Sequence, residues 1–385
     1  MKDDKIMAKY MKEIIIVTLY AYYPNDPALD LNAYFYTLEL CGKLTITEIL
    51  NKFASGLFSQ AFLFWLIGHL NIPHLLPAIT TTIVYAIAGY ITCDTAERYR
   101  QEKLIGKILL FQTMTIPFVN VINNVRNVFA FSLIILAVYL DLVKKKRNIF
   151  VICLYAIGLF FHLSSFVIIL LRVGCVVVKK YMAAVIIIPF VFPYLIDLSY
   201  KYRMLFYFPG NVGNGVQTII AKMYSYMHDS TSTYALEATT GLTYRLNRYF
   251  MMAGAFILCL LIYLLYMQLK DSVDHMNYMV FIALIGVVTL ACNVFAVPNY
   301  WRFAAALYVT SGFAIIQIKN QSHQLTISIR FLYLIFILLA IPDLFIQWWG
   351  ARDAADYGQW FANSLLTNPC SILFDILKGI LLWNQ

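Results

Sequence analysis

Two arginines stand at the start of apolar stretches, where a charged side chain is energetically costly. Arg126 follows a pair of asparagines and Arg302 follows an aromatic pair. Neither has a carboxylate nearby in sequence, and ionisable groups at membrane depth usually face a cavity or a partner. A guanidinium group is a planar fork that matches phosphate oxygens. Both arginines at one outer cavity would therefore form an anion site, and we expect a lipid diphosphate there.

His162 lies near the outer end of another apolar stretch, followed by Leu163, Ser164 and Ser165. A lone histidine in a membrane helix often does no more than hydrogen-bond a neighbouring helix. The functional alternative is a proton acceptor, or a donor to a sugar or phosphate, because imidazole titrates near neutrality. We predict a catalytic role for His162, with the structural role left open.

Further basic residues flank a stretch rich in Tyr, Gly, Ser and Thr at 198–248. Arg203, Arg245 and Arg248 are expected to bind substrate, while Lys201 favours snorkelling towards lipid head groups. The aromatic residues of this stretch could stack on sugar rings or form an interfacial belt.

Metal and cofactor chemistry find no support in the sequence. His69 and His74 are separated by Pro73 and do not share a helical face. The seven cysteines are scattered without a CxxC pair, which favours packing over metal or redox roles. The glycines at 210–215 do not follow a strand as a phosphate-binding loop would. We expect neither a metal nor a cofactor.

The elements that must position these residues are transmembrane helices. The chain has 385 residues, of which 61% are hydrophobic and only 13% charged, and the continuous apolar runs exclude a β-barrel. We predict an all-α fold, a polytopic transmembrane helical bundle of about 11 spans forming a single membrane domain over 1–385. The predicted spans are 12–24, 75–93, 107–123, 126–143, 148–163, 164–178, 181–197, 249–268, 277–296, 302–318 and 327–347.

Basic clusters set the orientation. The net charge of +9 comes largely from clusters such as Lys144–Arg147, which the positive-inside rule places in the cytoplasm. All clusters fall on one side only if Leu57–Asn71 lies in the interface without crossing. Loops 24–56 and 198–248 are then extracytoplasmic, as is the tail 349–385. The basic residues therefore do not imply nucleic acid as a partner.

Several short motifs resemble those of the EpsG family of exopolysaccharide and O-antigen (Wzy-type) polymerases. The family's R-Q-x-x-A motif resembles the stretch from Arg126 to Ala130, with Asn127 in place of Gln. A lysine-rich turn follows, and the F-H-x-S-A motif resembles 161–165, where Ser165 replaces Ala. The family's D-x-x-x-Y segment resembles Asp30 to Tyr34, and Arg302 resembles its late arginine.

The resemblance implies a metal-independent glycosyltransferase in the bacterial cytoplasmic membrane. Donor and acceptor would be glycans on undecaprenyl diphosphate, and the acceptor hydroxyl would displace the lipid diphosphate at the outer face. A flippase and a chain-length regulator are the implied protein partners. In this interpretation His162, Arg126 and Arg302 are catalytic, and the substrate-binding residues are Asp30, Tyr34, Asn123, Ser164, Arg203, Arg245 and Arg248.

Two other functions fit a polytopic protein with a membrane histidine. A membrane acyltransferase takes its acyl donor from the cytoplasm and would need His162 near that side, whereas our topology places it near the outer side. A flippase or other transporter predicts charged residues in several spans and an internal repeat, and the sequence shows no repeat.

Overall fold

The fold is known from a computed structural model, which describes residues 29–52, 57–203, 217, 220–221, 224, 242–269, 275–295, 300–321, 326–343, 345 and 377–378. These described residues form helices and connecting turns, with no strand among them. The all-helical prediction is therefore confirmed. The predicted span 12–24, most of the loop 198–248 and nearly all of the tail 349–385 lie outside the described residues.

The helices are numbered here in chain order. The first eight are α1 (Leu29–Cys41), α2 (Ile46–Lys52), α3 (Phe58–Leu70), α4 (Leu75–Arg98), α5 (Ile105–Thr115), α6 (Phe118–Asn123), α7 (Val125–Leu142) and α8 (Ile149–Phe161). The others are α9 (Ser165–Val178), α10 (Met182–Lys201), α11 (Leu242–Leu269), α12 (Met276–Phe295), α13 (Tyr300–Asn320) and α14 (Ile327–Leu338).

Six helical segments of the described chain are long and apolar enough to cross a membrane. They are Leu75–Arg98, Val125–Leu142, Ser165–Val191, Arg245–Gln268, Met276–Asn293 and Tyr300–Asn320. The segment Ser165–Val191 is only 17% buried, and its outward side chains include Val177 and Ile187, which are 67% and 59% exposed. Such an apolar surface fits lipid as solvent, so the chain is a multi-pass membrane protein.

The predicted span 107–123 is interrupted in the structure. Helix α5 ends at Thr115, Ile116 adopts an extended backbone, and α6 begins only after Pro117. Proline lacks the N–H that a helix interior needs, and it pushes the preceding residue towards extended conformations. The break leaves two short helices in place of one continuous span.

Helix α3 covers the segment predicted to lie in the interface. With 13 residues it is about 20 Å long, shorter than the roughly 30 Å hydrocarbon core. It ends where Asn71 takes a left-handed backbone conformation (φ 53°), which asparagine tolerates better than most residues. Because α8 also has 13 residues, the predicted interfacial position of α3 rests on the basic clusters and not on its length.

The described residues divide into two compact units, and the first contains those within 1–172 and 308–320. Its centre is α7, which packs against α8 and α4. Gly158 makes the close α7–α8 approach possible, because a Cβ there would lie 2.7 Å from Ile134 Cγ1. Gln112 of α5 donates to the Tyr308 and Val309 carbonyls at 3.2 Å each, which ties α13 into this unit.

Charged groups lie at the C-terminal end of α7. Asp94 of α4 accepts from the Tyr139 hydroxyl at 2.5 Å and pairs with Lys144. Asp141 accepts from Arg172 Nε at 2.7 Å. The N-terminal end of α7 lies about 22 Å away, at a rise of 1.5 Å per residue, and carries Arg126. The lysine-rich turn and the candidate site thus occupy opposite ends of α7.

The second unit contains the described residues within 173–307 and 321–346. Helix α12 packs against α10 and α11, and α11 packs against α14. Arg248 of α11 donates to the Asn293 side-chain oxygen at 2.8 Å and to its backbone carbonyl at 2.5 Å. This clamp joins the first turns of α11 to the C-terminal part of α12.

Candidate functional site

Arg126 lies in the first turn of α7, held by a residue from a distant part of the chain. Its Nε donates to the Tyr34 hydroxyl at 2.9 Å, and its guanidinium carbon lies 5.0 Å from the Tyr34 ring centroid. Tyr34 is buried in α1 and packs edge-on against Phe64 of α3, with ring centroids 6.1 Å apart. The packed tyrosine therefore fixes one edge of the guanidinium group.

The two Nη groups of Arg126 have no acceptor in the described part of the chain. No described carboxylate pairs with Arg126, and no described residue accepts from its Nη atoms. Other half-buried cations of the same unit are neutralised: Arg172 by Asp141 and Lys144 by Asp94. A half-buried guanidinium held on one edge and lacking a carboxylate is suited to bind an external anion.

His162, Ser164 and Asn127 form a hydrogen-bonded chain beside Arg126. The Ser164 hydroxyl lies 2.7 Å from His162 Nδ1 and 3.3 Å from the Asn127 side-chain oxygen. Asn127 is buried and follows Arg126 directly in α7. The structure thus brings together Tyr34, Arg126, His162 and Ser164, four of the residues predicted from the sequence.

The backbone decides the tautomer of His162. The Ser164 N–H donates to His162 Nδ1 at 3.2 Å, so Nδ1 must be an acceptor and the neutral ring carries its proton on Nε2. The single proton of the Ser164 hydroxyl then goes to Nδ1, which is the nearer partner. The oxygen lone pairs of Ser164 then face the Asn127 side chain. The Asn127 amide can donate to them through its NH2 group if its oxygen and nitrogen exchange places by rotation of the amide.

The site is built on an interruption between α8 and α9. His162 has an extended backbone (φ −156°, ψ 122°) that ends α8. The buried Ser165 hydroxyl lies within hydrogen-bonding distance of the carbonyls of Gly158 and His162, at 3.0 and 2.6 Å, and its one proton is shared between them. It adds a side-chain contact to two carbonyls that also accept from the backbone N–H groups of His162 and Ser165. Ser165 therefore stabilises the turn that presents His162 and Ser164.

Two predicted substrate ligands lie close to this cluster in the chain. Asp30 is in the first turn of α1, four residues before Tyr34. Asn123 is the last residue of α6, two residues before α7 begins, and is half-buried. Their contact with substrate stays a prediction.

The arginines of the second unit have different surroundings. Arg248 donates to Asn293 through Nε and Nη2, and its contact with substrate stays a prediction. Arg203 stacks on Tyr200, with its guanidinium carbon 4.1 Å from the ring centroid, and Tyr200 stacks in turn on Tyr224 at 3.7 Å. Arg245 is exposed on the first turn of α11.

Arg302 lies in the first turn of α13 and is half-buried. Its guanidinium carbon lies 5.3 Å from the ring centroid of Trp301, which is itself buried. Arg302 belongs to the second unit and Arg126 to the first. Their convergence on one ligand stays a prediction.

Sequence reasoning missed two contributors. Asn127 was not among the predicted site residues, yet its side-chain oxygen lies 3.3 Å from the hydroxyl of Ser164, a predicted substrate ligand. Its position next to Arg126 was the available signal. The Arg248–Asn293 clamp had no such signal, because 45 residues separate its members. Among the described residues, no group of three or more His, Cys, Asp or Glu side chains could hold a metal ion.

The helices define a multi-pass membrane protein, and the polar cluster is a candidate site at one end of its first unit. A comparison with protein families matches residues 13–362 to the EpsG family. The chain therefore belongs to the EpsG family, which indicates a membrane polysaccharide polymerase of glycosyltransferase type. No significant match is found among curated proteins or among solved structures.

Proposed function

We propose that this protein joins undecaprenyl-diphosphate-linked repeat units at the outer face of the bacterial cytoplasmic membrane. One observation carries the proposal: Arg126 is held by Tyr34 on one edge and has no described carboxylate to neutralise it. The adjacent Ser164–His162 pair offers a proton acceptor. An anion site beside a proton acceptor is what a glycosyl transfer from a lipid diphosphate requires.

The proposed reaction is a displacement at the anomeric carbon of the donor. The acceptor hydroxyl attacks that carbon, the bond to the diphosphate breaks, and the electron pair leaves on the lipid diphosphate. The hydroxyl proton passes through Ser164 Oγ to His162 Nδ1. Arg126, joined by Arg302, stabilises the charge that grows on the leaving group, and a preorganised donor of this kind acts strongly away from bulk water. Guanidinium groups supply this stabilisation, so the proposed reaction requires no metal.

The topology belongs to the same proposal. We propose about 11 spans in a single membrane domain, with the Arg126 end of α7 outside and Lys144–Arg147 inside. The placement of the basic turn at the end of α7 opposite Arg126 supports this orientation. The flippase and chain-length regulator remain proposed partners, and no observation favours the acyltransferase or transporter over the polymerase.

The decisive experiment is a deletion strain. Its surface glycan, separated by length, should consist of single repeats, and the wild-type gene should restore the ladder. The His162→Ala gene should leave single repeats while the protein accumulates normally. Arg147→Ala is the matched control among the arginines, because Arg147 is 80% exposed in the basic turn at the opposite end of α7, and the variant should make a ladder of wild-type length and amount. A full ladder in the deletion strain would refute the proposed function.

A further inference from the structure

A groove lies between α1 and the C-terminal end of α3, in the first unit. Its volume is about 420 Å³, within the range of small-molecule sites. The residues that line it are Phe35, Tyr36, Leu38, Glu39, Ile67, Gly68, Asn71, Ile72 and Pro73. The lining combines aromatic and aliphatic surface with one carboxylate and one amide.

The groove is close to the Arg126 cluster along α1. Tyr34 and Glu39 are five residues apart, about 8 Å at 1.5 Å per residue. Tyr34 turns inward to Arg126, whereas Tyr36 is 65% exposed. One helix therefore presents both the residue that holds the guanidinium and the wall of the groove.

The polar groups of the groove can hydrogen-bond to the hydroxyl groups of a ligand. Lys43, just past the end of α1, donates to Glu39 at 2.8 Å and lowers the pKa of that carboxyl. A glutamate carboxyl is ionised at neutral pH with or without such a partner. Both side chains of this pair are about two-thirds exposed, at 67% and 63%. An ionised carboxylate accepts up to several hydrogen bonds, and the Asn71 amide both donates and accepts.

The floor of the groove is rigid. The backbone comes into close contact at Gly42, the residue after α1, and Gly68 of α3. A Cβ added to Gly42 would lie 2.5 Å from the Gly68 carbonyl oxygen. The neighbouring Phe35 packs edge-on against His74, with ring centroids 5.1 Å apart. A preformed site loses less conformational entropy when a ligand binds.

We propose that this groove binds a sugar residue of the substrate glycan. The apolar face of the sugar would stack on the exposed Tyr36 ring, and its hydroxyls would donate to Glu39 and exchange hydrogen bonds with Asn71. This inference rests on the proposed function for the identity of the glycan. The Glu39 carboxylate disfavours the lipid diphosphate as the occupant, and the diphosphate is assigned to Arg126 under the proposed function.

The test uses the purified full-length protein in detergent. The probe is the set of oligosaccharide fragments released by mild acid from the surface polysaccharide of the producing strain. These fragments lack the lipid diphosphate, so their binding reports on sugar contacts alone. We expect saturable binding to the wild type, a Kd at least fivefold higher for Tyr36→Ala and Glu39→Gln, and wild-type affinity for Tyr36→Phe.

Two control variants isolate the groove. Lys43→Gln breaks the same ion pair without touching the lining, and Phe62→Ala removes an aromatic side chain that is 52% exposed on α3 outside the groove. Both should bind within twofold of the wild type. The inference is overturned if the wild type does not bind, if the groove variants bind as the wild type does, or if Lys43→Gln loses as much affinity as Glu39→Gln.

The outcome is separable from the proposed function. Fragment binding that depends on Tyr36 and Glu39, together with a full ladder in the deletion strain, would support the groove and refute the polymerase. Single repeats in the deletion strain, with fragment binding unchanged in the groove variants, would support the polymerase and overturn the groove.

Discussion

Arg126 Nε and the Tyr34 hydroxyl are joined by a 2.9 Å hydrogen bond across 92 residues of sequence. The bond ties the first turn of α7 to α1, and it orients the guanidinium plane without neutralising its charge. Tyr34 is thereby a positioning residue for the anion site.

Tyr34→Phe tests this role. The variant keeps the ring that packs on Phe64 but loses the hydroxyl, and a hydrogen bond to a charged group is worth about 1.5–3 kcal/mol. We expect polymerisation per molecule of protein to fall about tenfold or more, at unchanged protein abundance. An unchanged rate would show that packing alone positions Arg126.

The two neighbouring serines should separate catalysis from stability. Ser164→Ala removes the hydroxyl next to His162 Nδ1 and should lower the polymerisation rate about 10²–10⁴-fold at normal abundance, the usual range of proton-transfer contributions. Ser165→Ala removes the donor to the Gly158 and His162 carbonyls. It should instead lower the thermal midpoint of the detergent-solubilised protein. The same pattern for both variants would contradict the proposed relay.

The charge cluster at the other end of α7 should matter for stability alone. Asp94→Asn leaves Lys144 without its carboxylate partner, and we expect a loss of roughly 1–3 kcal/mol, reduced from fully buried pairs by partial exposure. A lower Tm with unchanged activity per folded molecule is the expected result. Lys43→Gln, at an exposed pair, should leave the Tm unchanged. An Asp94→Asn protein of normal Tm and low activity would contradict this assignment.

The topology predicts which side each turn faces. In a protein whose native cysteines are replaced, a cysteine at Leu163, which is 55% exposed, should react with a membrane-impermeant thiol reagent added outside. A cysteine at Lys146 should react only after the membrane is opened. The reverse labelling would overturn the orientation. Ser230 lies outside the described residues, in the predicted extracytoplasmic loop 198–248. A cysteine placed there should also react from outside.

Much of the helical pattern could be predicted because lipid imposes it. Continuous apolar runs and basic turns follow directly from solvation, and the predicted span 126–143 agrees with Val125–Leu142. The prediction of one continuous span over 107–123 was wrong, because it ran through Pro117, which interrupts the helix. Arg126, His162 and Ser164 were each singled out through motif resemblance, and they lie on a short helical hairpin.

Long-range contacts could not be predicted in the same way. The Tyr34–Arg126 bond and the α1–α3 groove depend on how separate helices pack, which apolar periodicity does not specify. Nor did the sequence show that Arg248 hydrogen-bonds to Asn293 whereas Arg126 pairs with no carboxylate among the described residues. The two arginine side chains are chemically identical, and they differ only in the residues that the fold places around them.

The most direct measurement of the central claim uses purified protein in lipid nanodiscs supplied with lipid-linked repeat units. Products are separated by length for the wild type and for Arg126→Ala, Arg126→Lys, Arg302→Ala and Arg302→Lys. Loss of one preorganised donor typically lowers the rate about 10²–10³-fold, and lysine keeps the charge without the fork. We predict ladders from the wild type, single repeats from both alanine variants and intermediate ladders from the lysine variants. Full ladders from both alanine variants would contradict the diphosphate site and the polymerase mechanism built on it.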